Sequence, residues 1–334
     1  MKIATKVSAA ILGFCIGTSM WSARAADAPA PATTQYPTKP VKIVVPFPPG
    51  GTNDIIGRLL AKHLESALGQ PFVVENRGGA GGIIGTDSVA KAAADGYTLL
   101  AASSGPMATS LALYKDRINY DVLRDFAPVA TLIDVTVVLA VSLKFPADNV
   151  SDLVRIATQR PGAVRAGLPA VGSMHHLLTA QFEIDTKTEL NMIPYKGSGP
   201  AILDLIGNHI DIDFDNMPAV IEQIRAGQLK ALAVSTPERN TALPDVPSFK
   251  ELGMNNLLAA PWFVLAAPAG TPADIVSLLN REVKNMMDSP EMVQRLESIG
   301  ANAAWRNEEE TRSFITDEIQ RWSSVVEKTG LQIQ

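Results

Sequence analysis

The sequence predicts an α/β protein, and three observations carry that prediction. From Tyr36 onward a short β-rich apolar run, a turn of Gly, Ser, Thr or Pro, and a helical pattern follow one another repeatedly. The chain is 334 residues long and 46% hydrophobic, enough to bury a sizeable core and to divide into two domains. Charged residues make up only 19%, which excludes a disordered or fibrous chain.

Residues 1–25 read as a signal peptide. Lys2 and Lys6 precede an apolar run from Val7 to Ile16, and Ala23-Arg24-Ala25 supplies the small residues of a cleavage site after Ala25. The only cysteine, Cys15, lies in this leader, so a mature chain has no thiol for disulfides, metal or nucleophilic chemistry. Residues 26–35 form a flexible, Pro/Ala-rich lead-in. Without the leader, Lys and Arg number 26 against 34 acids, a balance that excludes a nucleic-acid partner. No later run is long and apolar enough to cross a bilayer.

The expected strands are Val41–Phe47, Phe72–Glu75, Tyr97–Ala102, Val164–Leu168, Asn191–Tyr195, Ile210–Phe214, Leu229–Ser235 and Trp262–Ala267, in mainly parallel sheets. The helix after the first strand is the clearest: Ile56, Leu59, Leu60, His63, Leu64 and Leu68 recur every three or four residues, and Gly69 stops it. Further helices start near Gly82, Ser173, Pro200 and Pro218, and Pro272–Met287, Pro290–Ile299 and Glu308–Lys328 form a helical C-terminal stretch. Two apolar stretches, Val135–Val141 and Pro261–Pro268, flank a central block. They predict one domain of residues 36–142 plus 256–334, a second of 143–255, and a two-segment hinge between them.

In such folds ligands bind beyond the carboxyl ends of strands, where the next helix offers free N–H groups and the positive end of its dipole. Small residues gather at those points. Pro46-Phe47-Pro48-Pro49-Gly50-Gly51-Thr52-Asn53-Asp54 runs from the first strand into its helix, either as a ligand loop or as a tight turn with Thr52 or Asn53 as cap. Arg77–Gly85 only superficially resembles a dinucleotide loop. Its glycine spacing is wrong and no strand-end acid follows, so close packing of helix on sheet explains the glycines and no cofactor is expected. Ser103-Ser104-Gly105 and Ala170-Val171-Gly172-Ser173-Met174-His175-His176 follow two further strands.

A Ser173–His pair invites a hydrolase reading, but the nucleophile elbow is missing, and adjacent helical histidines point about 100° apart, so only one can face a site. Nor do His63 and His209 offer ligand spacing for zinc. Tyr195-Lys196-Gly197-Ser198-Gly199 and Phe214-Asp215-Asn216-Met217 also end strands; Asp215 either serves a ligand or caps the following helix. Asp211, Asp213 and Asp215 share one strand face and cannot all be buried unpaired. An apolar lining near Phe47, Met107 and Trp262 would suit an aromatic acid, whereas waters and hydroxyls would suit a dicarboxylate.

Segments spread from Tyr36 to Ile333 carry a family resemblance: Pro46–Asp54 (PFPPGGTND), Glu75–Gly85 (ENRGGAGGIIG), Asp95–Leu99 (DGYTL), Pro194–Gly197 (PYKG), Arg225–Val234 (RAGQLKALAV), Leu243–Val246 (LPDV) and Trp262–Pro272 (WFVLAAPAGTP). In this order they resemble the exported solute-binding proteins of tripartite tricarboxylate transporters, the Bug family. The resemblance implies a type II periplasmic-binding-protein fold whose two domains close on a small carboxylate. By motif it assigns ligand contacts to Gly50, Gly51, Thr52 and Asp54 in the first loop, and to Ser103, Gly172, Ser173, Tyr195, Gly197 and Asp215 elsewhere. Phe47 and His176 complete the candidate set. Two segments depart from the family pattern near the expected cleft: Ala170 replaces a glycine, and Gly105–Ser110 lacks the usual Asn-Pro.

These features predict a periplasmic, monomeric, non-catalytic receptor that captures a di- or tricarboxylate, an acidic amino acid or an aromatic acid. It would pass the ligand to the large and small membrane components of a transporter. Ligand sensing for a membrane signalling partner and an exported Ser-His hydrolase are the alternatives.

Overall fold

The computed structural model describes Met1 and residues 35–114 and 118–329. The expected leader, and the lead-in up to residue 34, lie outside the described residues. Two sheets organise the chain from Gln35 onward. The first part runs β1 (Val41–Val45), α1 (Thr52–Leu68), β2 (Phe72–Asn76), α2 (Ile83–Ala90), β3 (Thr98–Ser103), a wide π-type turn over Gly105–Thr109, α3 (Ser110–Tyr114), α4 (Val122–Asp125) and β4 (Phe126–Val135). The chain continues through β5 (Val137–Ser142), α5 (Val150–Gln159), β6 (Arg165–Leu168), α6 (Met174–Thr186), β7 (Asn191–Pro194), α7 (Ser198–Ile206), β8 (Ile212–Asn216), α8 (Met217–Arg225) and β9 (Leu229–Val234). It returns with β10 (Trp262–Pro268), α9 (Ala273–Met287), α10 (Pro290–Ser298), β11 (Ala301–Arg306) and α11 (Glu308–Thr329).

The first sheet has the order β11-β4-β10-β3-β1-β2 and the second β7-β6-β8-β5-β9. Alternation along each strand sorts side chains to opposite faces. In β1, Val41, Ile43 and Val45 pack with Leu60 and Leu64 of α1 and Leu279 of α9, while Val44 joins Val89 of α2 and Ile315 of α11. In β5, Val137, Leu139 and Val141 meet Leu153 of α5 and Phe182 of α6, while Val138 faces Ile202 of α7 and Val220 of α8, and Ala140 faces Leu205 of α7. Each sheet is therefore covered by helices on both faces.

The eight expected strands lie within two residues of their predicted bounds, but the expectation of mainly parallel sheets is overturned. β1 pairs with β2 and β3, and β6 with β7 and β8, in parallel; every described pairing of β4, β5 and β10 is antiparallel. The reason is the crossover. β4 leaves the first sheet and becomes β5 of the second through the single residue Thr136, and β10 re-enters after the 235–261 segment, so these strands run against the βαβ units on either side. β4 was missed because Pro128 argues against a strand. Here Pro128 sits where β11 no longer pairs and beside a register shift with β10, and an edge or a bulge is where proline is tolerated.

β5, which falls inside the expected first domain of 36–142, pairs within the second sheet, so the chain passes from one sheet to the other at Thr136. Thr136 is tied from three sides: its N–H donates to Gly300 O (3.1 Å), its carbonyl accepts from Met217 N (2.8 Å), and Asn240 Nδ2 donates to its hydroxyl (2.8 Å). Next to the return strand, Glu318 of α11 is buried and its Oε2 accepts from both Trp262 Nε1 (2.9 Å) and Trp322 Nε1 (3.1 Å). Glu318→Ala orphans two indole N–H groups and is expected to cost about 3 kcal/mol, whereas Glu318→Gln keeps an acceptor and costs less. Urea unfolding of the two variants checks the difference, and equal losses would refute the role of the shared acceptor.

Candidate functional site

Loops from both sheets meet at one cleft of about 500 Å3, part of it open to solvent. The first lobe supplies Phe47, Pro48, Gly51, Thr52 and Asn53 after β1, and Ser103, Ser104 and Gly105 after β3. From the second come Pro169, Ala170, Ser173, Met174 and His175 after β6, Gly197 and Ser198 after β7, and Asn216 after β8. Pro261 of the crossover closes the cleft. The N-termini of α1, α6 and α7 all open toward this space, so free backbone N–H groups and three dipole ends converge there. None of the lining residues is Arg, Lys, Asp or Glu, and His175 is the one ionisable side chain among them.

Thr52 does not cap α1; it is the first helical residue, and Gly51 is the cap, with no side-chain bond. Thr52 Oγ1 and Asn53 Oδ1 are consequently buried in the cleft wall with no protein partner. Asp54 acts behind the loop. Its Oδ2 accepts from Gly50 N (3.2 Å) and Arg58 Nε (3.0 Å), its Oδ1 from Asn76 Nδ2 (2.9 Å), and Asn76 also donates to Phe47 O (3.0 Å). Burial works to raise this carboxyl, but the bonds from Arg58, Asn76 and the Gly50 N–H outweigh it and hold it below the usual range.

The two lobes touch through loops that have no room for another atom. A Cβ on Gly199 would stand 2.7 Å from Pro49 O, and one on Gly197 would stand 2.8 Å from Pro48 Cδ. Thr109 Oγ1 donates to Gly172 O (3.2 Å) and Tyr114 Oη to Val171 O (3.2 Å), so the two segments that depart from the family pattern contact each other across the lobes. Arg77–Gly85 packs as expected: a Cβ on Gly85 would lie 2.8 Å from Pro46 Cα, which brings α2 close under the first loop.

Phe47, Gly51, Thr52, Ser103, Ser173 and Gly197 of the candidate set are thus brought together in the cleft. Gly50 lies in a neighbouring groove with Gly199 and Pro200. Asp54, Gly172, His176, Tyr195 and Asp215 are not among the lining residues. Tyr195 Oη donates to Asp204 Oδ2 (2.6 Å), and burial followed by that carboxylate pushes its hydroxyl up. His176 Nδ1 accepts from Gly172 N (3.2 Å), which makes it a neutral acceptor at the start of α6, and burial lowers its pKa. Asp215 Oδ1 accepts from Ser198 Oγ (2.7 Å) and Asn216 N (2.7 Å), two residues that line the cleft. Of the proposed apolar lining only Phe47 is present; Met107 is fully buried and Trp262 is turned inward to Glu318. His175, and not the His176 named from the sequence, is the member of the pair that lines the cleft, since residues one apart on a helix cannot be ranked without knowing which face packs. Asn216 and Ser198 were within quoted motifs but carried no signal of their own.

Two outcomes are expected. Gly199→Ala should hold the lobes apart, giving a larger radius of gyration by small-angle scattering with a near-parental melting temperature; unchanged scattering would show that the contact yields. Because the Asp54 pKa is lowered in the folded state, its stabilisation is present above the unfolded pKa and is lost as pH falls through the folded one. The stability gap between the parent and Asp54→Asn should therefore be largest near neutrality and shrink below about pH 4. A gap that stays constant with pH would rule out the ionised network.

With this geometry in view, the comparisons with known proteins are direct. Residues 56–331 match the family described as "Tripartite tricarboxylate transporter family receptor". Protein BugT of Bordetella pertussis is 46% identical over 326 residues, covering 97% of this chain and 98% of BugT. Among solved structures, Rpa4515 of R. palustris with adipate is 37% identical with a TM-score of 0.86, covering 89% of this chain and 99% of its own. MatC from Rhodopseudomonas palustris with bound malate is 31% identical with a TM-score of 0.82, covering 87% and 100%. The profile and the near-full-length likeness agree with the two-sheet fold and its interlobe cleft: the chain belongs to the tripartite tricarboxylate transporter receptor family, a family of solute-binding receptors and not of enzymes.

Proposed function

We propose that this protein is a periplasmic receptor that captures a small carboxylate between its lobes and hands it to the large and small membrane components of a tripartite transporter. One observation carries the reading: the cleft walls combine three helix N-termini with the unpartnered Thr52 Oγ1 and Asn53 Oδ1, and contain no Arg, Lys, Asp or Glu. A carboxylate is met there by N–H dipoles and hydroxyls, which bind it in fixed geometry without activating it. Two related structures carry dicarboxylates, adipate in one and malate in the other, which supports a ligand of that class. The leader motif at residues 1–25 supports export, and no described helix is long and apolar enough to cross a membrane.

Binding by closure requires that the ligand contact the closed state better than the open one, which a ligand bridging Thr52 and Ser173 does. The Ser-His hydrolase alternative has less support. Ser173 Oγ donates to Ala170 O (2.6 Å), which commits its proton to the backbone, and it accepts from His176 N as the cap of α6.

Isothermal calorimetry on refolded protein, with a panel of dicarboxylates from three to six carbons, citrate, acidic amino acids and aromatic acids, tests the reading. A true ligand at 100 times its dissociation constant adds about 2.7 kcal/mol to folding and raises the melting temperature. Thr52→Val removes the free hydroxyl while keeping the shape and is expected to weaken that ligand roughly tenfold with unchanged stability. No heat from any carboxylate would refute the receptor reading, and an unaltered affinity would take Thr52 out of the site.

A further inference from the structure

Beside the ligand cleft lies a second cavity, a chamber of about 790 Å3 that is partly open to solvent. Helix α6 builds one wall of it. Met174, Leu177, Leu178, Gln181 and Ile184 recur at three- and four-residue spacing and so share one face of the helix. The facing wall comes from Leu258 and Ala259 of the return segment and from Arg321 and Trp322 of α11. Ile184 remains 61% exposed, so this apolar surface is not covered by the rest of the chain. The one ionisable side chain of the lining is already engaged: Arg321 Nη1 donates to Glu318 Oε1 (3.1 Å), and its guanidinium lies 5.1 Å from the Trp322 ring. The two amides are engaged as well, Gln181 Nε2 (2.7 Å) and Asn256 Nδ2 (3.1 Å) both donating to Asp185 Oδ1. What the chamber offers a guest is therefore mainly apolar surface.

Cleft and chamber adjoin at Met174, the one residue that belongs to both linings. On either side of it the walls run on from one space to the other. Ser173 and His175 line the cleft where Leu177 and Leu178 line the chamber, and Pro261 lines the cleft where Leu258 and Ala259 line the chamber. Met174 is the first residue of α6, is 4% exposed and packs into the core. Helical side chains lean toward the N-terminus of their helix, which sets this thioether over the end of α6 that opens on the cleft. The apolar face of α6 thus begins at the helix end whose N–H groups meet a carboxylate. A tail running along that face from an acid held there encounters the Met174 side chain first.

We propose that Met174 determines specificity: its side chain closes the ligand cleft against the apolar chamber and restricts the site to compact acids, and its removal lets the site take a monocarboxylate with an apolar tail. The proposal rests on the carboxylate-receptor reading and adds to it the residue that limits ligand length. An unbranched thioether fills such a gap without bringing a polar group into it. Cutting it back to Ala joins the two spaces, so a phenyl group can leave water for the chamber and gain from apolar burial, whereas malate has no apolar tail to place there.

Calorimetry with malate, adipate and citrate as compact probes and 4-phenylbutyrate as the tailed one decides it. The parent is expected to prefer the compact acids. In Met174→Ala the dissociation constant of phenylbutyrate, taken relative to that of the tightest compact probe, should fall roughly tenfold. Ala180→Phe, which fills the chamber from α6, should leave the parent's ratio as it is and cancel the gain when combined with Met174→Ala, a reversal that general loosening of the core does not produce. Met174→Val removes less and should shift the ratio the same way by a smaller factor, which keeps the test open if the Ala variant fails to fold. An unchanged ratio in the Met174 variants, a gain that survives Ala180→Phe, or a parent that already takes phenylbutyrate as tightly as the compact acids overturns the proposal. Compact acids that bind without any shift in ratio sink this proposal alone; a parent that binds none of the four probes removes the receptor reading, and the proposal with it.

Discussion

Where Pro48–Gly51 of one lobe meets Gly197–Gly199 of the other, the chains pass so closely that a methyl group on Gly199 would press on the Pro49 carbonyl. This contact sets the spacing of the whole site. Helix dipoles and N–H groups act over a few ångströms, so α1 from one lobe and α6 and α7 from the other can share a ligand only if their first turns approach to that distance. Of the strands that lead to the cleft, β3, β6 and β8 are largely buried and β7 is partly exposed, and the chain crosses between the two sheets at Thr136 and in the 235–261 return.

The lining of the cleft contains neither lysine nor arginine. Surface arginines are used elsewhere: Arg58 holds Asp54, and through it the Gly50 turn, while Arg165 neutralises Asp211 at the far end of β8. Charges thus sit one layer behind the lining, where they stiffen loops, and the lining keeps neutral dipoles. That arrangement suits a receptor that must release what it binds, because affinity then depends on both lobes being closed at once and falls when either withdraws.

The line of three aspartates on β8 shows how burial is managed. Asp211 is matched by Arg165, Asp215 by Ser198 and the Asn216 N–H, and Asp213 by neither. Nothing compensates a charge in that middle position, and burial, with the Asp215 charge adding to it, pushes the Asp213 carboxyl well up. Its presence on the strand that delivers Asn216 to the cleft places a titratable group directly beneath the site.

The α/β class, the eight expected strands and the loop at Pro46–Asp54 were legible in the sequence because they rest on local signals: β-rich runs, three- and four-residue helical spacing, and glycines at strand ends. The α5 helix was legible too, since Asn149 and Asp152 form a cap ahead of Leu153 and Ala157, though it was overlooked. β4 and β11 were not, because Pro128 disfavours a strand until β10 pairs beside it and Ala-Asn-Ala-Ala-Trp-Arg becomes a strand only beside β4. The antiparallel crossover at Thr136, the turning of Trp262 and Met107 into the core, and the placing of His175 rather than His176 in the cleft wall were decided by tertiary packing. Sequence spacing specifies which residues share an element's face, but which face meets a cleft depends on where another lobe, a hundred residues away in the chain, comes to rest.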